Sequence, residues 1–455
     1  MTASATLNDT ICALATPSGV GAIGLIRLSG PQAIAIADAV FPSRDLQAAS
    51  SRTAHVGWIM DGALPLDEVV VTVFRGPRSY TGEDVVELSC HGSPYILDRA
   101  MHVLLNGGAR LAEPGEFTMR AFLNGRMDLA QAEAVADMIA SESAAAHRLA
   151  TQQMRGGFSR DIKAMREQLI GFAGLVELEL DFVEEDVAFA DKDALQQLLL
   201  QLKAEVSRLA ASFRLGNVMK NGVMTVIAGR PNAGKSTLLN ALLNEERALV
   251  SDIAGTTRDT IEEELNIEGI RFRLIDTAGI REATDAIEHM GVQRTMEKIR
   301  QGAVLVYVFD AAALSAEAVV SDLEQLHHAD LKTLVIGNKS DLLNGRPSGY
   351  PADTIWISAR DKSDLHVLKD ALYDIAVASG VSMDQTIVSN VRHVTALQQT
   401  LQSLDDVLEG LSQDLSGELL ALDLRRALNH LGEITGQVTH EDLLDFIFSK
   451  FCIGK

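Results

Sequence analysis

The sequence predicts a multidomain protein in which a doubly wound α/β domain is inserted into a helical domain, with a small α+β domain before both. The first observation is length, because 455 residues exceed what one hydrophobic core organises. The second is an apolar, strand-like run at 223–228 that leads into a glycine-rich loop and a helix-like segment, with more apolar runs after it. The third is that the last stretch, about 75 residues of helical pattern, is too short to form a core alone. We therefore expect it to pack on the helical segments before residue 216.

Residues 1–118 are predicted to form the α+β domain, because strand-like and helix-like segments alternate there. Strands are expected at 22–28, 66–75 and 84–90, and helices at 31–40 and from 93 to about 106. Pro31 and Pro94 suit a first helical turn, where the backbone N–H that proline lacks has no partner. A match to the dinucleotide-binding pattern at 19–24 is weak, because it precedes a strand whereas that pattern follows one.

The predicted helical domain has two parts, residues 119–215 and 381–455. Helical patterns extend from about 129 to 155, over 158–185 and 192–215, and then over 391–411, 417–431 and 441–451. Asp128 and Gln131 have the spacing of a capping box, in which each side chain bonds the other residue's backbone N–H. The acidic residues between Glu177 and Asp186 are interpreted as a solvated helix face, with a metal site as the alternative.

The α/β domain, residues 216–380, is organised around the segment GRPNAGKS, Gly229–Ser236. Its glycines allow the backbone to fold around an anion with its N–H groups inward, and the N-terminus of the following helix adds a partial positive charge. Lys235 is predicted to reach the outer phosphates of a nucleotide, and the Ser236 hydroxyl to ligate magnesium. The alternative is a glycine-rich turn that matches by chance, and the motifs downstream disfavour it.

Two downstream motifs predict the phosphate end of the site. GTTRD at Gly255–Asp259 offers a threonine that can ligate magnesium when the terminal phosphate is present. DTAG at Asp276–Gly279 follows a strand, so its carboxylate can hold magnesium through water and its last amide can bond the terminal phosphate. The next residue is Ile280, where Ras-like proteins have a glutamine that orients the attacking water. An aliphatic side chain cannot do this, and the amide oxygen of Asn232 suggests a coordinated monovalent cation near the phosphates.

Two more motifs predict the base end. NKSD at Asn338–Asp341 follows a strand, and the Asp341 carboxylate can accept two N–H groups from guanine, which adenine does not offer in that arrangement. Buried polar pairing of this kind rejects the wrong base by roughly 10⁴ or more. SAR at Ser358–Arg360 ends the last strand and can place a backbone N–H on the guanine oxygen. Five motifs in this order, each at a strand end, predict GTP as the nucleotide.

Composition excludes several function classes. The net charge of −22 does not steer the surface towards nucleic acid, so RNA binding would need a local patch or a partner protein. The three cysteines, Cys12, Cys90 and Cys452, have the spacing of neither a disulfide framework nor a zinc site. No secretory signal and no run of 18 apolar residues is present, so we expect a soluble, cytoplasmic protein without a membrane span.

On these motifs the sequence resembles the MnmE (TrmE) family of bacterial tRNA modification GTPases, within the TrmE-Era-EngA-like class, over its whole length. The resemblance rests on six runs, namely Gly229–Ser236, Asp252–Asp259, Tyr80–Asp84, Pro114–Phe117, Asp128–Ala134 and the C-terminal Phe451–Lys455. It implies an N-terminal folate-binding domain that also forms a homodimer, a helical domain, and an inserted Ras-like P-loop G domain.

The resemblance also implies an activity. It implies a potassium-stimulated GTPase that works with the FAD- and NADH-using protein MnmG (GidA). The two would add a carboxymethylaminomethyl-type group to the wobble uridine of certain tRNAs. The implied cofactors are GTP, magnesium, potassium and methylene- or formyl-tetrahydrofolate, and tRNA is expected to bind mainly through the partner.

The family's functional residues carry over to this sequence as follows. Nucleotide contacts are implied for Asn232, Ala233, Gly234, Lys235, Ser236, Thr237, Ser251, Asp252, Ile253, Ala254, Gly255, Thr256, Thr257, Asp276, Thr277, Ala278, Gly279, Asn338, Lys339, Asp341, Ser358, Ala359 and Arg360. Magnesium is implied at Ser236 and Thr257, and potassium at Asn232, Ser251, Ile253 and Thr256. Glu288 is implied to position the attacking water, and Lys235 to act on the phosphates.

Folate contacts are implied for Arg27, Glu87, Arg126 and Lys455. Lysine can occupy the position of Arg126 in the family, and arginine keeps the charge but not the point-donor geometry. The alternative for Arg27 and Glu87, which lie in otherwise apolar strands, is a structural salt bridge with each other. Cys452 has two interpretations as well, a small buried hydrophobe or a thiol that acts at the folate pocket.

Two other functions remain open from the sequence. A ribosome-assembly GTPase switch of the Era or EngA type would explain the G domain but neither residues 1–118 nor Cys452. A folate-dependent transferase with a merely regulatory G domain would form product after the G domain is deleted. Loss of the wobble modification with normal ribosomes in a deletion strain would separate the ribosome-assembly switch from the modification enzyme, and nucleoside analysis of tRNA from that strain is the most informative single experiment.

Overall fold

The computed structural model describes residues 8–181, 192–246, 262–276, 304–326, 331–343, 345, 347–377, 385–413, 415–439 and 441–455. The chain divides into two compact units. The first unit consists of Met1–Ile139, Gln153–Gln196 and Gln402–Lys455, and the second of Ala140–Gln152 and Gln197–Leu401.

The first unit contains a six-stranded sheet in the order β3-β4-β5-β2-β1-β6. Its strands are β1 (Ile11–Leu14), β2 (Ile23–Ser29), β3 (Thr53–Asp61), β4 (Leu64–Phe74), β5 (Val85–His91) and β6 (Arg110–Leu111). Neighbouring strands are antiparallel except β1 and β6. One face of the sheet packs with α1 (Ala33–Val40) and α2 (Pro94–Asn106) in a core that includes Ile26, Leu28, Val86 and Leu88. The α+β prediction is confirmed, and strands β1, β3 and β6 are additions to it.

Helices complete the first unit. They are α3 (Glu116–Leu123), α4 (Leu129–Ile139) and α6 (Gly157–Asp181). Between α4 and α6 the chain forms α5 (Ala144–Met154), which belongs mainly to the second unit. The predicted capping box precedes α4, since the Gln131 N–H donates to Asp128 Oδ1 and the Asp128 N–H donates to Gln131 Oε1, both at 3.0 Å. The sequence pattern predicted one helix from about 129 to 155. The structure ends α4 at Ile139 and begins α5 at Ala144, because the Ser143 hydroxyl accepts the Ala146 N–H at 3.1 Å and caps a new helix.

The C-terminal helices pack on α4 and α6, as expected from their length. These helices are Gly417–Thr435, labelled α12 because five further helices, described below, precede it, and α13 (Glu441–Phe448). Leu129 and Ala132 of α4 form a buried cluster with Leu444, Ile447, Phe448 and Phe451. Arg166 of α6 donates to the Leu428 carbonyl of α12 at 3.4 Å. The C-terminal tail is thereby joined to the first unit.

The second unit contains the other six-stranded sheet, in the order β12-β11-β10-β7-β9-β8. Its strands are β7 (Val223–Ala228), β8 (Glu262–Ile267), β9 (Ile270–Asp276), β10 (Val304–Asp310), β11 (Lys332–Asn338) and β12 (Ile355–Trp356). All pairs are parallel except β8 with β9. The doubly wound prediction is confirmed, with an antiparallel edge strand that the sequence reading did not include. Glu268 and Gly269, with φ of 51° and 83°, form the turn between β8 and β9.

Both faces of this sheet are covered. Alternate residues of β10 belong to different clusters, Val304, Val306 and Val308 to one and Tyr307 and Phe309 to the other. The helices of the unit are α8 (Lys235–Glu246), α9 (Ala316–Leu326) and α10 (Leu365–Val377), with parts of α7 (Lys192–Asn221) and α11 (Val391–Ser412). Helix α7 continues past the predicted end at 215 and stops at Gly222, whose φ of 77° suits glycine.

Three further features of the sequence concern the acidic run, the cysteines and membrane-spanning segments. The side chains of the acidic run at 177–186 lie outside those that the structure describes. Cys12 and Cys90 are buried free thiols, and Cys452 is an exposed one. Within the described ranges, none of the helices has the length and apolar character to span a bilayer.

Candidate functional site

The phosphate-loop segment lies between β7 and α8, in the strand–loop–helix arrangement that its sequence predicts. Gly229 has φ of 150°, and a Cβ there would collide with the Val308 carbonyl oxygen. Gly234 has φ of 89°, and a Cβ there would collide with the Asn338 side chain. Because an L side chain fits at neither position, the loop can pass this close to β10 and β11 only if both residues are glycine. The close approach explains the two glycines of the motif.

Lys235 is the first residue of α8 and is 8% exposed. Its ammonium donates to the carbonyl oxygens of Gly229 at 2.9 Å and Arg230 at 3.1 Å. The loop carbonyls therefore hold the charge at the helix N-terminus, where an anion is favoured by both the backbone N–H groups and the lysine. Asn232, Ser236 and Thr237 are exposed around it, and Asn232 has the left-handed φ of 61°.

Asn338 joins the phosphate end of the site to the base end. Its side chain is 2% exposed at the end of β11. The Nδ2 group donates to the Ala233 carbonyl at 2.8 Å, and Oδ1 accepts the Ala359 N–H at 3.0 Å. Asn338 is thus satisfied by two backbone groups from two different predicted nucleotide loops, which it holds together.

The remaining base-end residues lie next to this bridge. Lys339 has φ of 64° and its ammonium pairs with Asp310 Oδ2 at 2.6 Å. Asp341 follows in a short 3-10 helix, Ser340–Leu342, and is exposed. Ser358 is buried and its hydroxyl accepts the Asp361 N–H at 3.3 Å, whereas Arg360 is exposed. An exposed carboxylate beside two ordered loops is an arrangement that a planar base can enter.

Part of the predicted nucleotide site lies outside the residues that the structure describes. Asp276 is the last residue of β9, where it is in register with Ile227 of β7. The other predicted contacts lie outside the described residues, namely Ser251, Asp252, Ile253, Ala254, Gly255, Thr256, Thr257, Thr277, Ala278, Gly279 and Glu288. Their roles stay predictions.

The first unit holds a second constellation around Arg27. Neighbouring strands β2 and β5 place Arg27 opposite Glu87, and the guanidinium donates to Glu87 Oε1 at 2.8 Å. The two side chains are only 14% and 23% exposed. The Arg27 guanidinium carbon also lies 5.4 Å from the ring centre of Tyr80 and 5.8 Å from that of Phe117. The structure thus contains the salt bridge that the sequence offered as the alternative to folate contacts.

The C-terminal tail reaches this constellation. The Gly454 carbonyl accepts a hydrogen bond from Arg27 Nη1 at 3.4 Å, and the Cys452 carbonyl accepts one from the Gly115 N–H at 3.3 Å. Gly454 has φ of 92°, and a Cβ there would lie 2.5 Å from the Leu14 carbonyl oxygen. Phe451 is buried while Cys452 is exposed. The interpretation of Cys452 as a small buried hydrophobe is therefore wrong.

Arg126 lies at the edge of the same region. It is exposed, and its side chain is next to Gly82 in the loop that also carries Tyr80. Lys455 is half-buried, and its N–H donates to the Cys452 carbonyl at 3.3 Å. The structure thus brings Arg27, Glu87 and the tail together and places Arg126 near the neighbouring loop.

A charged network that was not predicted from the sequence surrounds Arg120, which pairs with Glu83 in the loop that carries Tyr80. Arg120, which is 1% exposed, pairs with Asp9 at 2.5 Å, Glu116 at 2.9 Å and Glu83 at 3.3 Å. Burial raises the pKa of Glu116, but hydrogen bonds from Arg110 and from the Glu113 N–H outweigh burial and hold the pKa below its ordinary value. The available signal was the spacing of Glu116 and Arg120, which are four residues apart on an otherwise apolar helix face.

Comparison with known proteins identifies relatives over nearly the whole chain. Residues 10–126 match the family described as the GTP-binding protein TrmE N-terminus, and residues 129–452 match the family described as the MnmE helical domain. A protein of Cytophaga hutchinsonii named tRNA modification GTPase MnmE is 57% identical over 450 residues, which cover 98% of each chain. Its namesake in Christiangramia forsetii is 50% identical over 472 residues, covering 99% of this chain and 100% of that protein.

Among solved structures, a variant of Era from Aquifex aeolicus bound to GDP·AlF4⁻ is 23% identical and covers 40% of this chain and 66% of that chain, with a TM-score of 0.28.

Proposed function

The chain belongs to the MnmE (TrmE) family of tRNA modification GTPases, and from this premise we propose that potassium-stimulated GTP hydrolysis drives its modification of the tRNA wobble uridine. Family membership gives the coarser activity, a GTP-binding enzyme whose GTP hydrolysis is coupled to tRNA modification. The proposal adds a carboxymethylaminomethyl-type product, tetrahydrofolate as carbon donor, a homodimer, and the FAD-dependent MnmG (GidA) as partner. A ribosome-assembly switch of the Era type is disfavoured, because it leaves the match of residues 10–126 unexplained.

One observation carries the folate part of this proposal. The exposed Cys452 belongs to a tail whose Gly454 carbonyl bonds Arg27, so a thiol and a half-buried ion pair with two aromatic rings share one region. A guanidinium can bind the ligand's glutamate carboxylate, and a carboxylate can bond the N–H groups of a pterin ring. The donor set therefore fits a folate, which supplies the one-carbon unit when bound.

The metal part of the proposal rests on the phosphate loop. Ser236 is an exposed residue at the start of α8, and its hydroxyl fits the role of a magnesium ligand together with Thr257, whereas Asn232 fits potassium. Glu288 is proposed to position the attacking water. Lys235, held by two loop carbonyls, would balance charge on the phosphates together with these cations.

Replacing potassium by sodium is expected to slow GTP hydrolysis. A unit charge about 4 Å from the phosphates is worth roughly 4 kcal/mol at an effective dielectric of 20, an upper limit equivalent to about a thousandfold in rate. We therefore expect kcat to fall between roughly tenfold and a thousandfold in sodium at constant ionic strength. The Asn232→Ala variant should hydrolyse GTP equally slowly in both salts. Equal rates of the wild-type protein in the two salts would refute the potassium proposal.

Arg27→Ala and Glu87→Ala are each expected to weaken binding of formyl-tetrahydrofolate by roughly tenfold or more, because each removes charge-assisted hydrogen bonds. Isothermal titration calorimetry on the full chain measures the affinity. Arg99→Ala is the matched control, since Arg99 forms a different arginine–carboxylate pair, with Asp61, in the same domain. Unchanged affinity together with a lower melting temperature would assign the Arg27–Glu87 pair to structure alone.

Nucleoside analysis of tRNA from a deletion strain tests the whole proposal. The wobble carboxymethylaminomethyl-type group should be absent and should return with the wild-type protein. Complementation with Cys452→Ser, which removes the thiolate at nearly the same shape, should leave the modification strongly reduced while GTP turnover and melting temperature stay unchanged. Full modification by Cys452→Ser would remove the thiol from the mechanism, and normal tRNA in the deletion strain would refute the proposed function.

A further inference from the structure

The backbone carbonyl of Arg230 is one of the groups that hold the Lys235 ammonium. Arg230 is the second residue of the phosphate loop, and its carbonyl oxygen accepts one of the lysine's hydrogen bonds at 3.1 Å. Asn232 in this loop has the left-handed φ of 61°, a conformation that is costly for a residue other than glycine. A loop of this kind keeps its shape only where the surrounding structure holds it.

The Arg230 side chain provides such a hold. Its Nε and Nη2 donate to the two carboxylate oxygens of Asp322 on α9, each at 2.9 Å. A two-point contact of this form fixes the orientation of the guanidinium as well as its distance. The Arg230 side chain is 51% exposed and that of Asp322 is 17% exposed, so the pair lies at the edge of the unit rather than in its core.

Tyr307 fixes the carboxylate in turn. It lies on β10, is 1% exposed, and its hydroxyl donates to Asp322 Oδ2 at 2.5 Å. Burial, together with the hydrogen bond to Asp322, raises the pKa of Tyr307, so the hydroxyl remains a donor. The hydrogen bond from Arg230 lowers the pKa of Asp322, so the carboxylate stays charged. The chain of contacts therefore runs from the centre of the sheet to the phosphate loop.

We propose that Tyr307, Asp322 and Arg230 are positioning residues for GTP hydrolysis. They hold the phosphate loop at Arg230, so that the Lys235 ammonium lies where it can contact the phosphates. None of the three is assigned to catalysis itself. Because the Arg230 side chain is 51% exposed, solvent screens its ion pair with Asp322 and limits the pair's contribution to the free energy of unfolding. Misplacement of a catalytic group by about 1 Å can cost up to about 10²-fold in rate. The effect of the pair should therefore be seen in nucleotide kinetics rather than in stability.

Asp322→Asn tests the proposal in the full chain, since it removes the charge and one acceptor at constant shape. We expect the KM for GTP and the Kd for GDP to rise about tenfold and kcat to fall several-fold, consistent with the cost of displacing a positioned group. Tyr307→Phe should act in the same direction with a smaller effect, because the arginine–carboxylate pair remains. Arg230→Lys keeps the charge but not the two-point contact, so it should resemble Asp322→Asn.

Asp423→Asn is the matched control. Asp423 pairs with Arg426 at 2.9 Å, with side chains 20% and 56% exposed, and lies far along the chain in α12. This variant should keep wild-type KM, kcat and Kd. Effects of Asp322→Asn and Arg230→Lys should not add in the double variant, because both break one contact. Wild-type KM, kcat and Kd in Asp322→Asn and Tyr307→Phe, whether or not the melting temperature falls, would overturn the proposal, as would full additivity.

Discussion

Asp341→Asn is expected to lower the affinity for GTP by roughly 10⁴-fold, because a site built to accept N–H groups loses an acceptor and presents a donor to guanine's own N–H groups. Asp341 is exposed next to the Asn338 bridge, so its replacement does not disturb a buried group. Xanthine has a carbonyl where guanine has an amino group, and this carbonyl can accept the new amide N–H. Binding and hydrolysis of GTP and XTP, measured side by side, should therefore show reversed preference.

Asp353→Asn is the control for this exchange, since Asp353 is an exposed aspartate in a nearby turn of the same unit. It should keep the wild-type preference for GTP. If Asp341→Asn still binds GTP with wild-type affinity, the base does not lie against this carboxylate, and the base end of the site would have to be reassigned.

Asn338→Asp is expected to weaken GTP binding by at least about a thousandfold, because the lost donor to the buried Ala233 carbonyl costs roughly 1–3 kcal/mol and the uncompensated buried charge roughly 3–5 kcal/mol more. The Nδ2 donor becomes an oxygen 2.8 Å from the Ala233 carbonyl, so attraction turns into repulsion. At 2% exposure the new carboxylate has little access to water. The two nucleotide loops should separate, and equilibrium binding of GDP and of a GTP analogue should both fall.

Asn217→Asp provides the comparison, since Asn217 is an exposed asparagine of α7 that accepts a hydrogen bond from Asn221 at 2.7 Å. It introduces the same charge without burying it, and nucleotide affinity should not change. Near-normal GTP affinity in a folded Asn338→Asp protein would show that the bridge is dispensable for the site.

Local chemistry explains why the phosphate-loop conformation and the capping box were predictable. The phosphate loop needs glycine at positions of positive φ, and the capping box needs its two side chains three residues apart, so both leave short, readable patterns. Buried parallel strands leave apolar runs, which is why five of the six strands of the second sheet were expected. The exception, β8, begins Glu262-Glu263-Glu264 and lies at the edge, where no such run is required.

By itself the sequence determined the fold class, the order of the nucleotide motifs and the family of this protein, because these depend on residues that are close in the chain. Only the tertiary structure decided that Asp322 holds Arg230, 92 residues away, and that Gly454 bonds Arg27, 427 residues away. It also decided that Cys452 is exposed although Phe451 beside it is buried. The physical reason is that ion pairs and burial depend on which distant elements pack together. Periodicity along the chain indicates which face of a helix or strand is buried, but not which element packs against that face.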